Sequence, residues 1–216
     1  MRPYLLVVSE ISLDGKLTLS RGTSSKLLMS SMDEEGFKYL HELRAKVDAI
    51  MVGCETVRID NPSLTVRFVK GKNPARVVPC STGDIPLDAN IFSPDAPTYI
   101  AVSKRAPIER IRALKEVCSD VLILGEEKVD IELLLRMLYQ MGFKSLMVEG
   151  GALLNYELFR LGLVDELRLI HLSVVVGGED VPSLVGGKCL EVPARFRLRS
   201  HFKRGNQLIS EWEVVK

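Results

Sequence analysis

"SLMVEGGALLNYELFRLGL", residues 145–163, is the stretch on which the reading of this chain turns. Leu146, Met147 and Val148 make an unbroken apolar run, as in a strand covered on both faces. Ala152 to Leu161 reads as a helix, so the segment predicts strand, tight turn, helix. Between them stand Glu149, Gly150 and Gly151. Paired glycines let the backbone take positive φ and let a ligand come close. The helix that follows offers unpaired N–H groups and a partial positive charge, a ready phosphate site. A tight turn alone would also explain Gly-Gly. The glutamate tips the balance, because the C-terminal end of a buried strand is where ligands bind in open α/β sheets. The spacing is not G-x-G-x-x-G, so an ordinary dinucleotide fingerprint is absent.

Similar apolar runs recur at 4–8, 49–52, 75–78, 98–102, 121–124 and 167–176. Helical segments are expected over 33–47, 107–117 and 130–141, and strand–helix–strand alternation implies parallel pairing with right-handed crossovers. The end differs. "RFRLRSHFKRGNQLISEWEVV" reads as two extended segments about a turn at Arg204-Gly205-Asn206, an antiparallel hairpin. The predicted fold is therefore α/β: a mixed, mainly parallel sheet flanked by helices, with an antiparallel C-terminal hairpin. Segment 69–97 should be a loop-rich cover over the sheet. With no repeats and no long linker, one domain over residues 1–216 is expected.

Composition narrows the function. The 216 residues are 46% hydrophobic and 26% charged with a net charge of +1, and no basic block is present. Nucleic acid and membrane surfaces usually demand a concentrated cationic face, so neither is the expected partner. No apolar run nears the roughly 18 residues of a membrane span. The four cysteines lack C-x-x-C spacing and the three histidines are not spaced with them, so no metal site is expected. Reduced thiols and a first strand in place of a signal peptide point to the cytoplasm.

Three further segments carry candidate chemistry. In 33–47 the apolar stripe Phe37, Leu40, Arg44, Val47 places a guanidinium where a hydrophobe belongs. An inward-facing Arg44 needs an anion, either an internal carboxylate or a substrate phosphate gripped by its fork, and the phosphate is the one expected. In "VGCETVRIDNPSLTVR", residues 52–67, Thr56, Asp60, Asn61 and Pro62 crowd a loop after a buried strand. In "ISLDGKL", residues 11–17, Asp14-Gly15 makes a turn and Lys16 stands at the exit of the first strand.

Taken in order, S-L-D-G-K, L-R-A-x-x-D-A-I-x-V-G, T-V-x-x-D-N-P-x-L-T-V-R and V-E-G-G resemble the reductase family of riboflavin biosynthesis, over residues 4 to 187. The resemblance implies a dihydrofolate-reductase-like fold, a homodimer, and NADPH-dependent reduction of a ribosylamine to a ribityl chain. No H-x-E or P-C-x-x-C deaminase signature is present. The form is thus similar to stand-alone archaeal and fungal enzymes acting on 2,5-diamino-6-(ribosylamino)-4(3H)-pyrimidinone 5′-phosphate. By the same resemblance, Lys16 and Glu149 are the catalytic candidates. Arg44, Leu64 and Arg67 are substrate contacts. Thr56, Asp60, Val129, Gly150, Gly151, Ala152 and Leu153 are cofactor contacts. The loop Ser81-Thr82-Gly83-Asp84 has no cation for a 2′-phosphate, so NADH is expected to be accepted as well. The long run 167–176 is the expected dimer edge. A pterin or folate reductase of the same fold, and a non-catalytic nucleotide-binding module, are the rival readings.

Overall fold

The computed structural model describes residues 1–215. In chain order the elements are β1 (Tyr4–Ile11), α1 (Lys26–Met29), α2 (Glu34–Arg44), β2 (Ala49–Met51) and α3 (Cys54–Asp60). Then come β3 (Ala75–Pro79), β4 (Thr98–Val102), α4 (Ile108–Lys115), β5 (Asp120–Ile123), α5 (Ile131–Gln140) and β6 (Ser145–Val148). The last are α6 (Ala152–Arg160), β7 (Glu166–His171), β8 (Phe196–Arg204) and β9 (Gln207–Val214). All nine strands form one sheet in the order β5-β4-β3-β2-β6-β1-β7-β9-β8. From β5 to β7 every pair is parallel, and β7–β9 and β9–β8 are antiparallel.

Strand alternation sorts the core onto two faces. Leu5 and Val7 of β1 face the layer of α5 and α6, with Leu134, Leu135, Leu138 and Leu158. Leu6 and Val8 face Tyr39, Leu40 and Leu43 of α2. On that same side Ile50, Val78 and Ile100 meet Val57 of α3 and Ile111 and Leu114 of α4. Each fully buried leucine contributes about 1.5–3 kcal/mol relative to exposure, so these stripes fix which helix lies on which face.

The loop-rich cover is pinned by Arg76, which is fully buried on β3. Its Nε donates to the Ser63 carbonyl at 2.9 Å, and its Nη1 to those of Ile91, Ser93 and Ala96 at 2.9, 2.9 and 3.1 Å. Asp95 closes the set as an ion pair with Nη2. The hairpin turn is tied down too. Asp33 caps α2 through the Gly36 N–H at 3.0 Å and accepts the Asn206 N–H at 2.6 Å. Gly205, at φ +56°, lies so close that a Cβ there would overlap the Asp33 carboxylate.

Three expectations are corrected. Residues 54–60, read as loop, form α3; its β-branched Thr56, Val57 and Ile59 mask a helix that starts at Cys54, after Gly53, and buries Val57. Helix α2 ends at Arg44 and not at Val47. The run 167–176 is not one long strand and not an edge. β7 stops at His171, where the ladders to Ile11 and Leu208 both run out. Beyond it Leu172, Val174 and Val176 still pack into the core beside α2. Apolarity there reports burial and not strand. The sheet's edges are β5 and β8.

Candidate active site

The C-terminal ends of β1, β2 and β6 open into a cleft of about 370 Å³. Ser9 and Glu10 line it from β1, Thr56 and Asp60 from α3, and residues 149–154 from the turn into α6. Thr56 and Asp60 are four apart on a helix and therefore share a face. Asp60 is held by Ser25, whose N–H donates at 3.0 Å and whose hydroxyl donates at 2.7 Å. Pro182, Gly186 and Gly187 complete the far wall.

The glycines act by close approach. Gly53 N–H donates to the Gly150 carbonyl at 3.0 Å, which brings the starts of α3 and α6 together. Gly150 takes φ +86°, and a Cβ on Gly151 would stand 3.2 Å from Thr56 Oγ1. No side chain caps α6, so its first N–H groups remain available to an anion. A cradle that even a methyl group would crowd, set at an uncapped helix start, fits the pyrophosphate of a dinucleotide.

Arg44 finds its anion inside the protein. Its Nε and Nη2 donate to Oε1 and Oε2 of Glu149, each at 2.6 Å, and Nη1 donates to the Thr65 carbonyl at 3.1 Å. The side chains are 7% and 9% exposed, so this is a bidentate pair in a low-dielectric wall. The fork expected to hold a substrate phosphate is filled here by an internal carboxylate. Beside it, burial and then the charges of Arg44 and Arg67 hold His41 down at about 3. Its Nδ1 accepts the Arg67 N–H at 2.9 Å.

The remaining expected residues are spread around the cleft. Lys16 is half-buried, its backbone bridged to Ser183 and its N–H on the Ser12 hydroxyl at 2.8 Å. Asp14 of the same turn accepts the Ser12 hydroxyl and the N–H groups of Val176 and Gly177. Those bonds hold its carboxyl well below the usual range. Leu17 and Thr18, the next residues, line the cleft, and Lys16 stands just outside that lining. Leu64 is buried at φ +55° in the core behind the wall. Arg67 is exposed, with Nη1 on Thr65 Oγ1 at 2.6 Å. Val129 is not among the residues that line the cleft, and its N–H donates to Ser81 Oγ at 3.1 Å.

Glu10 was missed, although the rule that singled out Glu149 applies to it: an acid at the C-terminal end of a parallel strand. Ser25 and the pair Gly186-Gly187 were missed as well. The glycine pair was a legible signal, whereas nothing local marks Ser25.

A cleft at the carboxyl ends of parallel strands, with a glycine-lined helix start and a fixed ion pair, defines an α/β protein with a small-molecule site. The chain belongs to the RibD C-terminal domain family, which it matches over residues 3–210. It is 63% identical over 218 residues to the 2,5-diamino-6-ribosylamino-4(3H)-pyrimidinone 5′-phosphate reductase of Aquifex aeolicus, covering 99% of this chain and 97% of that one. The reductase of the same name from Methanothermobacter thermautotrophicus is 40% identical over 220 residues, with 99% of each chain covered. By name, both relatives are reductases. A protein named for riboflavin biosynthesis, RibD of Actinobacillus pleuropneumoniae, is 28% identical over 221 residues, covering 99% of this chain and 57% of that one. A pyrimidine reductase-like protein from Corynebacterium diphtheriae has the same dihydrofolate-reductase-like fold, with a TM-score of 0.83 at 21% identity over 99% of this chain and 92% of that one. Among the described residues no helix is long and apolar enough to cross a membrane.

Proposed function

We propose that this chain reduces the ribosylamino group of 2,5-diamino-6-ribosylamino-4(3H)-pyrimidinone 5′-phosphate to ribitylamino, with NADPH as reductant. The observation that carries the reading is the meeting of two walls in one cleft: the uncapped, glycine-lined start of α6 and the Arg44–Glu149 pair. A dihydronicotinamide would supply hydride to C1′, and the protein's part is binding, orientation and charge. The N–H groups at Gly151, Ala152 and Leu153 bind the pyrophosphate, and Thr56 and Asp60 line its passage. Val129 and loop 81–84 border the adenosine end. Glu149, immobilised by Arg44, receives hydrogen bonds from the ribose hydroxyls, and Lys16 orients the ribose from the rim. Leu64 shapes the wall from behind. Arg67 takes the 5′-phosphate, since no carboxylate among the described residues pairs with it.

The 2′-phosphate has little to hold it. Arg110 and Arg58 reach loop 81–84 but donate to the carbonyls of Gly83 and Asp84. Lys104 and Arg105 are paired with Glu126 and Glu127. A charge-assisted partner contributes roughly 1.5–3 kcal/mol, so NADH should act within about two orders of magnitude of NADPH. The protein is a homodimer in this reading, joined through the exposed β8 edge, which pairing would protect. Incubation with NADPH and the pyrimidine tests the function: oxidation of the cofactor with formation of the ribitylamine is expected, and no turnover would refute it. A sedimentation mass near the chain's own 24.1 kDa would refute the dimer.

A further inference from the structure

Five carboxylates line the cleft; Glu55 and Asp180 are exposed, and the other three differ in what holds them. Asp60 takes both of its donors from Ser25. Glu149 has each oxygen on a different nitrogen of Arg44. Glu10 has Oε1 shut off from solvent, with no hydrogen-bond partner. Its neighbour across the ladder is Ile170 of β7, so that strand offers it no cation. The charged groups that act on it are Glu149 at the end of β6, Asp60 on α3 and Arg44 on α2, whose fork is already filled by Glu149. A buried oxygen without a donor is far less costly as part of a neutral acid than of an anion. Burial, and after it the charge of Glu149, push Glu10 up to about 7, against a hydrogen bond from its own backbone N–H and the charge of Arg44, with Asp60 adding a little.

The proposed reduction consumes one proton, and the atoms show where it goes. As the ribose opens, the C1′–O4′ bond breaks and its electron pair leaves with O4′, which must be protonated. The amine nitrogen's lone pair makes a C=N bond to C1′ and leaves the nitrogen positive. C1′ then accepts hydride from the dihydronicotinamide, and the C=N pair returns to nitrogen. In sum, substrate, reduced cofactor and one proton give ribitylamine and oxidised cofactor. Every oxygen of Glu149 is engaged by Arg44, and Asp60 is engaged by Ser25. Glu10 alone of the three has a buried oxygen with nothing bonded to it.

We propose that Glu10 is the catalytic acid, delivering its carboxyl proton to O4′ as the ring opens and regaining one from water after product leaves. The assignment rests on the reductase reading above. It also explains the placement of the Arg44–Glu149 pair: a fixed negative charge beside Glu10 keeps the second acid protonated.

The test combines Glu10→Gln and Glu10→Asp with a carbon-13 NMR titration of labelled glutamate carboxyls in the ligand-free protein. One carboxyl should titrate at about 7 in the wild type and be missing in Glu10→Gln. In the variant kcat/KM should fall about 100-fold or more, and the loss of rate above neutral pH should vanish from the profile. NADPH affinity, read by fluorescence, should not move. Glu10→Asp should keep an acid limb at a shifted position with part of the rate. A Glu10→Gln rate within about threefold of wild type would overturn the assignment, as would a wild type in which no glutamate titrates above about pH 6. If Glu10→Gln does not fold, the wild-type titration and the Glu10→Asp profile decide, and a profile unchanged in Glu10→Asp counts against. Failure of the wild type to turn over the pyrimidine would refute the reductase reading and the donor role with it, and this shows before any variant is made.

Discussion

Arg44 and Arg76 are both buried guanidiniums on the same side of the sheet, and both grip one loop. Arg76 holds it at the Ser63 carbonyl and Arg44 at the Thr65 carbonyl. Their surroundings differ. Arg76 is closed in by four backbone carbonyls, the Ser93 hydroxyl and Asp95, so it serves as a bolt for the cover over β3. Arg44 stands at the cleft wall and gives its fork to Glu149. The same residue type is architecture in one region and charge control in the other, and only the neighbours decide which.

That contrast breaks first at Arg76. Arg76→Met strands several buried carbonyls, and denaturant unfolding should show a loss of about 3–5 kcal/mol. Activity per folded molecule should stay near wild type. A cost below about 1 kcal/mol would mean that the cover does not depend on it.

Arg44→Met should cost about 2–4 kcal/mol of stability by leaving Glu149 buried and unpaired. Unlike Arg76→Met, it should also lower kcat/KM by roughly 30- to 1000-fold, because Glu149 loses its anchor. Adding Glu149→Leu should return stability but not activity. If activity returns as well, the pair is only a core plug.

The pH dependence of stability separates the two regions more finely. Glu10 is raised to about 7 from 4.5. Between those values the folded state binds the proton and the unfolded state does not. Stability therefore falls as pH rises through that window, and the full cost stands above about pH 7. Urea unfolding at about pH 5 and pH 8 should show the wild type losing about 1–3 kcal/mol more than Glu10→Gln. Equal losses would place the proton elsewhere.

Asp95→Asn should have the smallest effect. The Asp95 side chain is 47% exposed, and a pair so wet contributes only about 0.5–1 kcal/mol. The Ser93 hydroxyl and Arg76 hold the Asp95 carboxyl below its usual range, so this contribution is present above about pH 4 and lost as pH falls below it. Thermal unfolding of the variant in acid and at neutral pH measures the difference.

Local pattern was enough for the strand Leu146–Val148, the turn at Glu149-Gly150-Gly151 and the helix after it, because those signals lie within one stretch of chain. The C-terminal hairpin was legible for the same reason. Arg44 could be marked as inward-facing from its stripe, since helix periodicity reports which side is buried. Its partner could not be read, because Glu149 is 105 positions away. Ser25, 35 positions from Asp60, is beyond local pattern in the same way. The end of β7 at His171 was set by two neighbouring ladders running out, an event outside its own sequence. The protonation of Glu10 was likewise decided by burial and by charges brought to it from β6, α2 and α3. Periodicity encodes exposure along the chain, whereas charge pairing and proton affinity depend on distances that exist only once the sheet has assembled.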